Sequence, residues 1–94
     1  MDEPSARFHA SPDALATRVG DEIVLVHAAT DQIYVLNRTG ARVWELMCAD
    51  LGRAEIDGQL AREFDVSEPA LTADVDALID SLVGSRLITV ERDG

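Results

Sequence analysis

The chain has 94 residues, of which 47% are hydrophobic, and its 8 basic residues are outnumbered by 18 acidic ones, so its net charge is −10 at pH 7. A chain of this length forms one small domain, with room for a binding surface and hardly any for a buried multi-residue active site. The acidic balance argues against nucleic-acid binding, in which Lys and Arg displace counterions, and suits a partner that carries basic residues.

Neither a signal peptide nor a membrane span is visible in the sequence. Residues Met1–Arg7 are acidic and polar, and no apolar segment follows them. No apolar run reaches the length that crosses a bilayer. The single cysteine, Cys48, excludes an intrachain disulfide and a cysteine-based zinc site. We therefore predict a cytoplasmic protein that does not contact a membrane.

In chain order, residues 1–12 come first and are predicted to be a flexible N-terminal arm. They contain two prolines and two serines, and Phe8 is their only large apolar side chain after Met1. Residues 13–91 are predicted to form the single domain, and no internal repeat or low-complexity tract interrupts them.

Three strands are predicted at the start of this domain, at Ala14–Val19, Glu22–His27 and Gln32–Leu36. They are rich in β-branched and aliphatic residues. Gly20 and Asp21 form the first turn, because glycine permits a positive φ and aspartate tolerates it. Since consecutive strands with short connections usually pair, the three strands form an antiparallel meander.

Two helices are predicted after the strands. The first runs from about Thr39 to Cys48 with Thr39 as its N-cap, and its Trp44 and Met47 fall on one side. The second runs from about Ala54 to Phe64, where large apolar residues recur at a spacing of four.

A third helix begins after Ser67, its predicted cap, and ends near Gly84. Leu87–Val90 is predicted to be a short final strand. The core stripe of the third helix is predicted to comprise Leu71, Val75, Leu78 and Leu82. The fold class is therefore α+β, winged helix-turn-helix-like, with a three-stranded antiparallel sheet followed by three helices.

The sequence offers no constellation for catalysis or metal binding. His9 and His27 have no second ligand at metal spacing, so we interpret them as surface or edge histidines. Cys48 is predicted to be a small buried hydrophobe, since no basic group flanks it. The acids of the third helix are scattered around it by their spacing: Asp74, Asp76 and Asp80. We predict a non-enzyme without metal or cofactor.

The third strand has a side that its neighbour in the meander does not use. Ile33–Leu36 contains no Lys or Pro to protect this edge against pairing with another chain. An extended peptide would add there as a further strand, with affinity from main-chain hydrogen bonds. Two alternatives stay open at this point: Leu87–Val90 covers the edge, or a second copy covers it in a homodimer.

The third helix is predicted to supply the opposite wall of a groove beside this edge. Thr72, Asp76, Ile79 and Val83 form a flank beside the core stripe, and Asp80 adds negative charge. An apolar flank with acids suits a partner that has apolar anchors and Lys or Arg. The alternative is a wide core face with solvated acids.

The segment Tyr34–Trp44, Tyr-Val-Leu-Asn-Arg-Thr-Gly-Ala-Arg-Val-Trp, resembles the signature of the PqqD family, Tyr-x-Leu-Asn-x-Thr-Gly-x-x-(Ile/Val)-Trp. The resemblance covers roughly residues 13–90. It continues through the second helix, an Asp-Val pair in the third helix and a closing Leu-Ile, at Ile56, Leu60, Phe64, Asp74, Val75, Leu87 and Ile88.

This resemblance implies a recognition element for ribosomally synthesised, modified peptides. Such a module is not a catalyst. It binds the leader of a precursor peptide as an antiparallel strand on the third strand, against the third helix, and presents the core to a modifying or processing enzyme. The expected peptide-binding residues are Gln32, Ile33, Tyr34, Val35, Leu36, Thr72, Asp76, Ile79, Asp80 and Val83. The signature residues Leu36, Asn37, Thr39, Gly40 and Trp44 are expected to be structural.

The pathway stays open between two members of this class. The short chain and its Leu-Asn-x-Thr-Gly motif favour lasso-peptide biosynthesis with a separate leader peptidase, and the alternative partner is a radical S-adenosylmethionine enzyme, as in pyrroloquinoline quinone biosynthesis. Two alternative functions of another class also stay open: a structural or dimerisation subunit and a winged-helix regulator. The regulator would need a basic recognition helix, and Glu68–Leu82 contains no Lys or Arg.

Overall fold

The computed structural model describes residues 7–65 and 67–91, and five strands and three helices lie within these ranges. In chain order they are β1 Arg7–Ala10, β2 Ala14–Val19, β3 Glu22–His27, β4 Ile33–Leu36, α1 Arg38–Cys48, α2 Arg53–Glu63, α3 Glu68–Gly84 and β5 Ile88–Glu91. The predicted α+β class, with a three-stranded antiparallel sheet before three helices, is confirmed.

The larger sheet has the order β2-β3-β4, and both pairings are antiparallel. Gly20 in the first turn and Asp31 in the second have positive φ, at 65° and 61°, as tight connections require. Ile23, Leu25 and Leu36 are buried on one face of this sheet, against the helices. The other face has no covering element among the described residues.

The predicted arm is wrong for Arg7–Ala10, which form β1. This strand pairs antiparallel with β5 in a separate two-stranded sheet. Phe8 is buried in the core, which explains why this segment packs on the domain. Residues 1–6 of the predicted arm, and residues 92–94, lie outside the described residues. Because β5 pairs with β1, this C-terminal strand does not cover β4.

The strand-to-helix turn is capped by Asn37 instead of the predicted Thr39. Asn37 has an extended backbone, and its side-chain oxygen accepts a hydrogen bond from the Gly40 N–H at 2.9 Å. Asparagine is among the best N-cap residues, because its short side chain reaches the free N–H groups of the first turn. The helix therefore begins one residue earlier than predicted, at Arg38.

The burial of His27 and the exposure of Cys48 are opposite to the prediction. His27 is buried, and its Nδ1 accepts a hydrogen bond from the Ala29 N–H at 3.2 Å. Cys48 is exposed at the end of α1, although partial desolvation raises the pKa of its thiol. His9 is a surface histidine as predicted, with its Nε2 2.7 Å from Glu91 Oε1.

The core stripe of α3 differs by one residue from the prediction. Leu71, Val75 and Leu82 are buried as expected, but Ile79 takes the buried position expected for Leu78. Both spacings, 71-75-78-82 and 71-75-79-82, lie close to 3.6 residues per turn. Because residues 78 and 79 are both apolar, only packing against the other elements selects between them.

An ion-pair network joins β2, α1 and α2. The Arg42 guanidinium donates to both carboxylate oxygens of Glu63 at 2.8 Å and to Glu45, and Glu45 also pairs with Arg18. The hydrogen bonds from Arg42, and then from Gln59, lower the pKa of Glu63 to about 2.

We expect Glu63→Gln to lose an acid-dependent part of the stability. The pKa of Glu63 is lower in the folded chain than the value of about 4.3 in an unfolded one, so its contribution is complete above pH 5 and disappears as the pH falls towards 2. Urea unfolding of both proteins from pH 7 to pH 2 measures this. The gap between them should be constant down to about pH 5 and then close; a gap that is the same at every pH contradicts the assignment.

Candidate functional site

The edge of β4 that faces away from β3 is unpaired among the described residues. The His27 N–H donates to the Gln32 carbonyl at 2.9 Å, which identifies that pair as hydrogen-bonded. In an antiparallel ladder such pairs alternate along the strand. Tyr34 and Leu36 therefore bond to β3, and the backbone groups of Ile33 and Val35 point to the open edge. The edge offers two donors and two acceptors.

A groove of about 400 Å³ lies beside this edge, between β4, the start of α1 and α3. Its described lining residues are Val35, Leu36, Asn37, Thr39, Gly40, Val43, Asp74, Val75 and Leu78. Leu36, Val43 and Val75 are buried and Leu78 is half-buried, so much of the lining is apolar.

Gly40 brings α1 close to β4 and α3 at the groove. A Cβ atom at this position would lie 3.4 Å from Leu36 Cβ and 3.6 Å from Leu78 Cδ2. These are ordinary van der Waals distances, so an alanine at this position would be in contact with both side chains. Because Asn37 caps the helix here, the same short segment ends the strand, starts the helix and lines the groove.

Asp74 is the only charged side chain among the described lining residues, and it is exposed. Together, the groove combines main-chain hydrogen-bonding groups, an apolar lining and one carboxylate. This set of groups suits an extended peptide with an apolar side chain near a basic one. Within residues 7–65 and 67–91, no group of three His, Cys, Asp or Glu side chains is placed to hold a metal ion.

The predicted residues of β4 and of α3 are only partly brought together. Ile33, Tyr34, Val35 and Leu36 are in β4, Gln32 directly precedes it, and the Tyr34 hydroxyl donates to Gln32 Oε1 at 2.8 Å.

The five residues predicted on α3 do not line the groove. Asp76 pairs with the Arg53 guanidinium of α2 at 2.7 Å, and the Thr72 carbonyl accepts from the same group. Ile79 is a core residue with little exposure. Asp80 and Val83 lie with Ile79 along a separate cleft of about 830 Å³ between α3, β1 and β5.

Three α3 residues line the groove that the sequence analysis did not assign to it: Asp74, Val75 and Leu78. The sequence pattern predicts a solvated acid at Asp74 and core residues at Val75 and Leu78. A core stripe shifted by one residue around α3 would have placed Asp74 and Leu78 at the groove. The local sequence does not favour that rotation of the helix over the predicted one.

Comparison with known proteins gives one family and two similar structures. The family described as Coenzyme PQQ synthesis protein D (PqqD) matches residues 22–88, which is more than half of the chain. The structure of TbiB1 in complex with the TbiA(beta) leader peptide is 25% identical, with a TM-score of 0.78, and the match covers 84% of this chain and 92% of that one.

A second structure, lasso peptide synthetase B1 complexed with the leader peptide, has a TM-score of 0.79. It is 20% identical over 88% of this chain and 98% of that one, so this likeness concerns the fold alone. No curated protein matches the sequence. None of the helices within the described ranges is long and apolar enough to span a bilayer.

Proposed function

The chain belongs to the PqqD family, and from this premise we propose that it binds the leader segment of a ribosomally synthesised precursor peptide. The leader adds as a strand to the open edge of β4, in the groove against α3, and the chain presents the rest of the peptide to an enzyme. The observation that carries this proposal is the edge at Ile33 and Val35, which has no partner among the described residues and opens beside a partly apolar groove of about 400 Å³.

The pathway proposed is lasso-peptide biosynthesis, with a leader peptidase as the enzyme that receives the peptide. The similar protein at 25% identity, which is complexed with a leader peptide, supports leader binding. A radical S-adenosylmethionine enzyme is the alternative partner, because the family's description refers to coenzyme PQQ synthesis. In either pathway this chain acts without catalysis, as a binding protein.

Isothermal titration calorimetry with the leader half of a precursor peptide encoded beside this chain tests the proposal. We expect saturable one-to-one binding at micromolar or lower concentration. The peptide's core half serves as a control and should not bind. If no leader binds, and sedimentation shows a stable dimer that persists on dilution, the edge of β4 is a dimerisation surface and the proposal is wrong.

We expect Asp74→Asn to weaken the binding of a leader that carries Lys or Arg by about 2- to 5-fold, as for an exposed ion pair. Asp74 is the charged residue among the described lining residues of the groove, whereas Asp80 lies on the separate cleft and gives a matched control, Asp80→Asn. Titrations at low and high salt measure both. Asp74→Asn should also reduce the salt dependence; equal affinities in the two variants at low salt would exclude a role for Asp74.

A further inference from the structure

The outer face of the larger sheet is apolar and exposed. The face comprises Leu15, Thr17 and Val19 of β2, Glu22, Val24 and Val26 of β3, and Ile33 and Val35 of β4. Directly opposed residues of antiparallel strands point to the same side, which gives the rows Leu15–Val26–Ile33 and Thr17–Val24–Val35. Four of the five large hydrophobic side chains that are exposed in the described chain lie here, each more than half exposed.

This face is smaller than a stable protein interface, so any occupant must also contact surface beyond it. With about 4.8 Å between strands and about 3.3 Å per residue, two strands of six residues and one of four present about 250 Å². A stable protein interface buries about 800 Å² on each partner. Two copies joined here would each carry a net charge of −10 into the contact. The charge of two copies thus argues against a symmetric dimer on this face.

The charges around the face indicate the chemistry of a different occupant. Exposed acids stand in or next to the connections at both ends of the sheet: Asp21 and Glu22 at one end, Asp13 and Asp31 at the other. Arg18, the only basic residue of the three strands, is on the opposite face and pairs with Glu45. An apolar patch edged by Lys or Arg is therefore complementary to this face.

The outer face is continuous with the open edge of β4. A peptide strand added to β4 would place every second side chain beside Ile33 and Val35 on the outer face, and the others towards the groove. The bound peptide thus widens the sheet to four strands and extends the face with its own side chains.

We propose that the outer face is the docking surface for the enzyme that acts on the bound peptide, and that this enzyme contributes an apolar patch edged by basic residues. The inference rests on the proposed function, since it requires the added strand for the complete surface. The proposed docking surface explains why a small protein keeps Leu15 and Val19 exposed on β2, two strands away from the peptide edge. It also predicts that the enzyme binds more strongly when the leader is bound.

The double variant Leu15→Thr/Val19→Thr tests this surface. Threonine is β-branched and uncharged, so strand propensity and net charge are kept while apolar area is lost. The matched control is Val83→Thr, which changes the fifth exposed hydrophobic residue, on α3. Leader affinity is measured by calorimetry. Affinity for the purified processing enzyme encoded with the precursor is measured by sedimentation velocity, with and without saturating leader.

We expect the double variant to keep its leader affinity within about 2-fold and to lose about 10-fold in enzyme affinity, as for interface anchors, while Val83→Thr changes neither. Unchanged enzyme affinity overturns the inference. So does a wild-type dimer that the double variant dissociates, because the occupant is then a second copy. If the wild type binds no leader, the proposed function fails. The docking surface is then tested by enzyme affinity measured without leader, and a loss of that affinity in the double variant alone supports the docking surface.

Discussion

Replacement of Val35 by proline is expected to weaken leader binding by about 10- to 100-fold while the domain stays folded. The Val35 N–H points to the open edge of β4, because the hydrogen-bonded pairs with β3 are those of Tyr34 and Leu36. Proline removes this donor and leaves an acceptor of the incoming strand unpaired, which costs about 1–3 kcal/mol. Isothermal titration with the leader peptide measures the loss.

The matched control is Ala16→Pro, on the opposite open edge of the same sheet. The alternation that turns Val35 outward on β4 also turns the Ala16 N–H outward on β2. Proline is tolerated on edge strands, so both variants should have similar thermal stability. We expect Ala16→Pro to bind the leader as the wild type does. Equal losses in the two variants would indicate a general disturbance of the sheet, and an unaffected Val35→Pro would rule out strand addition at β4.

Replacement of Trp44 by alanine is expected to cost about 3–5 kcal/mol in the free energy of unfolding. Trp44 is only 5% exposed and belongs to the hydrophobic core with Val43 and Met47. A small domain has a total stability of about 5–15 kcal/mol, so this variant should be close to unfolding. Thermal unfolding followed by far-UV circular dichroism should show a midpoint lower by about 12 °C or more.

Cys48→Ala is the control for Trp44→Ala, since Cys48 is exposed on the same helix. A surface change of this kind should alter stability by no more than about 0.5 kcal/mol. A Trp44→Ala protein with wild-type stability would show that the tryptophan is not a core residue. The leader affinity of folded Trp44→Ala should be near that of the wild type, because Trp44 is not among the groove residues.

The local sequence was sufficient for most of the secondary structure. β-Branched runs and turn residues located β2, β3 and β4, and helical periodicity located α1, α2 and α3 to within one or two residues. The segment Tyr34–Trp44 also identified the family, which was confirmed. These features depend on neighbours along the chain, so a single sequence contains the information that determines them.

The prediction of a flexible arm was wrong at Arg7–Ala10 because the structure of this segment depends on a distant part of the chain. Arg7–Ala10 become a strand only because Ile88–Glu91, at the other end of the chain, pairs with them. Arg7–Ala10 has no strong strand pattern of its own, whereas Leu87–Val90 was predicted to be a strand. A pairing at this separation is set by the packing of everything between the two segments. The burial of His27 and the exposure of Cys48 likewise depend on how the helices and sheet meet.

The sequence by itself determined the strand at Ile33–Leu36, the lack of Lys and Pro along it, and the acidic, non-basic character of α3, because each is a local property. Only the tertiary structure decided which side of α3 faces β4. Leu78 and Ile79 are both apolar, so periodicity allows either in the core, and the rotation of the helix is selected by its packing. That rotation brings Asp74 and Leu78 to the groove and turns Asp76 to Arg53. The strand at the sheet edge was therefore predictable from the sequence, and neither the pairing of β5 with β1 that leaves this edge uncovered by β5 nor the opposite wall of the groove was.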